Sequence, residues 1–177
     1  MRAHERLIEQ CQGMWTDGQT LWASSVYMLW RFENVLRPNE VIHGQFDKCY
    51  VPRNAQTIGD LDIHELGIQA NGKVIFVNTK YSCLAELSQT HSFKAVWKPK
   101  FISKLAPEDR CHLNGLAMKD GCEAYVTAVG ESDVVDGWRD WPGRKMLLIG
   151  PVGSGKTHLA QIWASESGAA RVAGADL

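Results

Sequence analysis

From Gly13 to Gly137 the apolar residues fall into short runs separated by tight-turn residues, and no long run repeats at helical spacing. Thr16-Asp17-Gly18 is a hairpin signal; Leu21-Trp22-Ala23-Ser24 and Tyr27-Met28-Leu29-Trp30-Arg31-Phe32 follow it as strand-like runs. The same figure returns as Ile63-His64-Glu65-Leu66-Gly67-Ile68, the turn Asn71-Gly72 and Val74-Ile75-Phe76-Val77-Asn78-Thr79. It returns again as Cys111-His112-Leu113-Asn114-Gly115-Leu116-Ala117, the turn Asp120-Gly121 and Ala124-Tyr125-Val126-Thr127-Ala128. The turn glycines at 18, 72 and 121 lie 54 and 49 residues apart. Hairpins at a period near fifty predict blades of a β-propeller, about half a ring in this length. Trp15, Trp22, Trp30, Trp97, Trp138 and Trp141 lie in or beside the runs, where large rings fill the space between sheets. Residues 1–12 read as a polar segment, a short helix or an interrupted element.

A second texture begins after Gly137-Trp138-Arg139-Asp140-Trp141-Pro142-Gly143. Met146-Leu147-Leu148-Ile149 is an apolar run of strand length, and His158 to Ala164 carries apolar residues at helical spacing. Between them Gly150-Pro151-Val152-Gly153-Ser154-Gly155-Lys156-Thr157 satisfies G-x-x-x-x-G-K-[ST]. Such a loop turns its backbone N–H groups toward a phosphate, with the glycines allowing close approach and the helix N-terminus adding partial positive charge. Lys156 is placed to reach the β- and γ-phosphates of ATP, and the Thr157 hydroxyl to ligate Mg²⁺. Gly150, Gly153, Ser154, Gly155, Lys156, Thr157 and His158 are therefore the candidate nucleotide site. The twenty residues after Thr157 contain no apolar strand ending in an acidic pair, the element that completes Mg²⁺ binding and orients water. Phosphate binding is expected of this segment and hydrolysis is not. The predicted organisation is a polar segment over 1–12, a mainly β, partial propeller-like region over 13–139, and a truncated strand, P-loop and helix over 140–177.

Charge and composition narrow the partners. A net charge of −1 gives no electrostatic reason to expect nucleic acid or an anionic membrane. No apolar run reaches the ~20 residues of a membrane helix, and the polar N-terminus does not read as a secretory signal. The five cysteines are odd in number, scattered and without a C-x-x-C pair, which suits reduced thiols in a cytoplasmic protein.

Within the β region, strand alternation places Asp60, Asp62 and His64 on one face, and Arg110, His112 and Asn114 on an equivalent one. In a propeller His64 and His112 would both line the central channel, able to bind a divalent metal or to act as acid and base. Structural hydrogen bonding at strand starts is the plainer reading of the same residues. Glu108-Asp109-Arg110 reads as a local ion pair.

Two resemblances overlie this reading. Residues 13–139 resemble a bacterial family of uncharacterised proteins that looks like a β-propeller. The runs that carry it are Leu29 to Asn34, Tyr50 to Arg53, Gly59 to Leu66, Phe76 to Thr79, Ser82 to Leu84, Phe101 to Ala117, Tyr125 to Ala128 and Gly137 to Arg139. Residues 141–177 are similar to the start of the DnaA/Hda-type AAA+ replication-initiation ATPases, through Trp141 to Arg144, Leu147 to Pro151, Gly153 to Leu159 and Ile162 to Ala164. The Hda-like regulators, which stimulate ATP hydrolysis by the initiator, look closest. That resemblance implies ATP and Mg²⁺ as cofactors and replication-initiation proteins as partners. The alternative is a non-enzymatic β-rich binding module with a vestigial P-loop. Two partial family matches meeting at the Trp138–Trp141 corner suggest a joined or truncated reading frame.

Overall fold

The computed structural model describes residues 7–140, 147–149 and 174–175. They form three four-stranded sheets, each built from consecutive strands (β) of the chain. The first holds β1 (Met14–Thr16), β2 (Thr20–Ser24), β3 (Met28–Asn34) and β4 (Tyr50–Thr57). The second holds β5 (Ile63–Ile68), β6 (Val74–Asn78), β7 (Cys83–Glu86) and β8 (Lys94–Trp97). The third holds β9 (Leu113–Lys119), β10 (Cys122–Ala128), β11 (Leu147–Ile149) and β12 (Gly174–Ala175). All pairings are antiparallel except β11 with β12, which is parallel. A single 3₁₀ turn, η1 (Gly137–Asp140), is the only helical element among the described residues. No helix among them is long and apolar enough to cross a membrane.

The hairpin signals hold. Gly18, Gly72 and Gly121 take φ of 88°, 81° and 73°, the left-handed values that favour glycine, at the turns between β1 and β2, β5 and β6, and β9 and β10. The Asp17 carboxylate accepts from the backbone N–H of Gln19 and Thr20, which closes the first turn. Pro52 sits in β4, the edge strand of its sheet, where a missing N–H costs least.

The second sheet is buried on both faces. Leu66, Val74, Phe76, Cys83 and Ala85 pack toward the first sheet with Leu29, Ile58, Leu61 and Ile63, joined by Trp15 and Trp22. Ile75, Val77 and Leu84 face the third sheet with Ile102, Cys111, Leu113, Val126 and Ala128, joined by Trp97. This two-sided burial is why Val74 to Val77 is an unbroken apolar run instead of an alternating one. β5 lies against both β1 and β9, so the first strands of the three sheets stand in a row. One clasp recurs at the junctions: Ser24 Oγ donates to the Ile63 carbonyl at 3.3 Å, and Thr79 Oγ1 to the Leu113 carbonyl at 2.6 Å. The two acceptors are fifty residues apart, the period of the repeat.

Two expectations need correction and one is narrowed. Residues 7–12 contain no helix, which leaves the interrupted element of the two readings there. The third repeat enters its strand at Leu113, not Cys111, because His112 has a φ of 47° and cannot join a ladder. The strand expected to open a separate P-loop unit runs from Leu147 to Ile149 and pairs antiparallel with β10, Val126 opposite Ile149, so the third sheet continues across the composition break. No closed ring of sheets is formed by the described residues.

Candidate functional site

The polar chemistry of the described residues gathers where the first strands of the three sheets begin. Gln12, Asp62 and His112 occupy corresponding places fifty residues apart, each just ahead of its inner strand. Gln12 Nε2 donates to Asp62 Oδ1 at 3.0 Å. The other oxygen of Asp62 lies 3.3 Å from His64 Nε2, and Asn114 Nδ2 lies 2.8 Å from His64 Nδ1. With the amide donating, His64 carries its hydrogen on Nε2, directed at Asp62. Both ring nitrogens of His64 are thus engaged by the protein.

His112 is held differently. Its Nδ1 lies 2.8 Å from Asp109 Oδ2, which also accepts from Trp138 Nε1 at 2.8 Å. The indole of Trp138 stacks on the His112 ring, with centroids 4.2 Å apart and planes 31° apart. Arg139 covers the indole, its guanidinium carbon 4.2 Å from the ring centroid. The two imidazoles meet edge to face, 4.9 Å apart at 83°. Each histidine side chain is 17% exposed, so the pair is shielded without being sealed.

The local backbone explains how these groups converge. Asp62, Asp109 and His112 all take left-handed φ, of 51°, 39° and 47°. Asp visits that region more readily than most residues, and a group of such residues at one place is a feature that functional sites share. The kink at 109–112 also separates Arg110 from His112, contrary to the alternation expected over 110, 112 and 114. Arg110 turns into the protein, 6% exposed, and bonds Glu108 Oε2 at 2.6 Å, Asp133 Oδ1 at 2.5 Å and Ser103 Oγ at 3.1 Å. Hydrogen bonds from Ser103 and Arg110 hold the Asp133 carboxyl down at about 2, and Arg110 with Lys104 lowers that of Glu108. Asp60 likewise leaves the group to pair with Lys80. His64 and His112 therefore stand together, but not at matching positions: the counterpart of His64 is Asn114, and that of His112 is Asp62.

Sequence reasoning missed Asp109, Trp138 and Gln12 as members of this group. The fifty-residue correspondence of Gln12, Asp62 and His112 was the available signal. The η1 turn that delivers Trp138 has none, since it packs a distant indole onto a local kink. Among the described residues no three His, Cys, Asp or Glu side chains converge as a metal site would require. Cys83 and Cys111 are buried and unpaired, and burial pushes their thiols up to about 12 and about 11, which suppresses thiolate chemistry. Gly150, Gly153, Ser154, Gly155, Lys156, Thr157 and His158 lie outside the described residues, as does Trp141.

Three consecutive, mainly antiparallel sheets with a polar group at their inner strand starts define a mainly β chain of repeated build. The family described as "Domain of unknown function (DUF4915)" matches residues 1–149, and the chain belongs to it. The match runs through β11, whose residues complete an antiparallel trio with β9 and β10. No curated protein and no solved structure matches the chain.

Proposed function

We propose that the chain binds the phosphates of ATP through Gly150 to Thr157, with Mg²⁺ on Thr157, and that this loop is joined to a partial β-propeller-like region. The carrying observation is that β11 ends at Ile149, one residue before the G-x-x-x-x-G-K-[ST] run, and that β12 returns parallel to it. Parallel neighbours require a crossover connection, and a phosphate-binding loop belongs at the start of one. The three sheets, each running in chain order from a first strand beside its neighbour, support reading the rest as propeller blades. The resemblance to the DnaA/Hda group makes replication-initiation proteins the partners to test and a regulatory role the one expected. Fluorescent-ATP titration of the chain and of Lys156→Ala tests the reading: binding in the first and at least tenfold weaker binding in the second is expected. Equal signals would remove it.

A second reading is a non-enzymatic β-rich binding module in which the loop is vestigial. The observation in its favour is the polar group around His64 and His112, built from the β region and the η1 turn without the loop. Mg-ATP raises the melting temperature under the first reading, because a ligand of the native state stabilises it. It leaves the temperature unchanged under the second.

A further inference from the structure

We propose that His112 Nε2 is a proton-accepting centre open to a ligand, a neutral hydroxyl-bearing molecule, with Asp109 and Trp138 as its positioning residues. The inference concerns the β region alone and holds under either reading above.

The argument starts from the two histidines. They share a neighbourhood and a degree of exposure, yet His64 spends both ring nitrogens on Asp62 and Asn114. With the Asn114 amide rotated, both ring nitrogens would carry hydrogen, since the Asp62 carboxylate only accepts, and both would stay engaged. His112 spends only Nδ1. Its Nε2 makes no hydrogen bond with the described residues, and the side chain is 17% exposed. An imidazole bonded through Nδ1–H to a carboxylate presents a lone pair at Nε2, the arrangement of a general base held by an orienting acid. Trp138 completes the support from two directions, by donating to the same Asp109 oxygen and by stacking on the ring. The remaining oxygen, Asp109 Oδ1, is buried without a partner.

That set is costly to build. Asp109 and His112 both hold left-handed φ, conformations that persist only where the surroundings over-determine them. A purely structural hydrogen bond at a strand start needs neither the kink nor the stacked indole. The ligand class follows from the charges beside the ring. The carboxylates of Asp62 and Asp109 flank the two imidazoles and disfavour an anion, whereas an O–H donor meets a free acceptor at Nε2. Nε2 accepts the hydrogen bond of that O–H while Nδ1–H stays with Asp109.

Diethyl pyrocarbonate is a direct probe, because its attack needs an available imidazole lone pair. Nε2 bonds to one carbonyl carbon, the anhydride C–O bond breaks, ethyl carbonate leaves, and the Nδ1 proton passes to Asp109 and solvent. The full chain is treated and the modified peptides are quantified by mass spectrometry over time. His112 is expected to react about tenfold faster than His64 at equal exposure. Asp109→Asn and Trp138→Phe, each checked by near-UV circular dichroism, are expected to slow His112 by about tenfold, the lower end of what removing a partner of an imidazole costs. His91, in an exposed loop, serves as the unaffected reference. Equal rates at His112 and His64 in the unmodified sequence overturn the proposal without recourse to any variant. So does a folded Trp138→Phe chain in which His112 reacts as before. Slowing of His112 by 0.1 M methanol, ethylene glycol or glycerol, with His91 unchanged, supports the ligand class; protection by acetate alone overturns it.

Discussion

The middle sheet and the kink at Asp109 to His112 solve opposite problems. Val74, Ile75, Phe76 and Val77 are buried in regular extended backbone, with apolar neighbours on each side and no polar side chain to satisfy. A few residues away in space, Asp109 and His112 hold unfavourable backbone conformations to bring carboxylate, imidazole and indole together. One region is made of what burial stabilises cheaply, about 25 cal/mol per Å² of apolar surface. The other persists because its surroundings over-determine it. The difference teaches where the chain can be changed: the strand is held by burial, and the kink by a few specific polar and ring contacts.

Substitutions should divide along that line. Phe76→Ala is expected to have the largest effect, about 3–5 kcal/mol of unfolding free energy by denaturant titration, since it empties the packing between the first two sheets. Gly121→Ala comes next, at about 1–3 kcal/mol. Its φ is 73°, and an added Cβ would lie 2.6 Å from the Ala70 Cβ, where the hairpin turns of the second and third sheets touch.

The Arg110 cluster gives a smaller, pH-dependent effect. Glu108 and Asp133 are held below their ordinary carboxyl range, Asp133 at about 2. Groups depressed on folding stabilise the native state above the unfolded value, near 4, and that contribution is lost as pH falls toward 2. Thermal melts between pH 5 and pH 2 should show a falling melting temperature, with a shallower fall in Arg110→Met. Equal slopes would mean that the pair adds no native-state linkage. The smallest effect is expected from His112→Asn, within about 1 kcal/mol, since Asn tolerates left-handed φ and replaces a single hydrogen bond. A loss matching that of Phe76→Ala would make the kink part of the core and erase the contrast.

The legibility of the chain follows the same contrast. Strands β2, β3, β5, β6 and β10 are readable because a run of apolar residues between turn signals encodes both the element and its burial. The short strands β1, β7 and β8 escape that test, since three or four residues give no period. His64 and His112 were legible as neighbours because each lies at the start of an inner strand, although their counterparts fifty residues away are Asn114 and Asp62. Asp109 and Trp138 were not, since one reaches the site through a non-extended turn and the other across 29 residues. Alternation along 110, 112 and 114 fails for a specific reason: a rule of period two assumes extended backbone, and His112 is not extended.

Because each sheet of the described residues is built from strands in chain order and the main contacts join it to the sheet before or after it, the order of assembly can follow the order of synthesis. A ribosome adds about 5–20 residues each second, so a fifty-residue repeat takes roughly 3–10 s to emerge, whereas a hairpin closes in about 1–10 μs. Each sheet has ample time to form before the next is available to cover it. The middle sheet must wait for both neighbours. Until β9 and β10 arrive, Ile75, Val77 and Leu84 present an open apolar face, and that interval is when the nascent chain is most exposed to wrong partners.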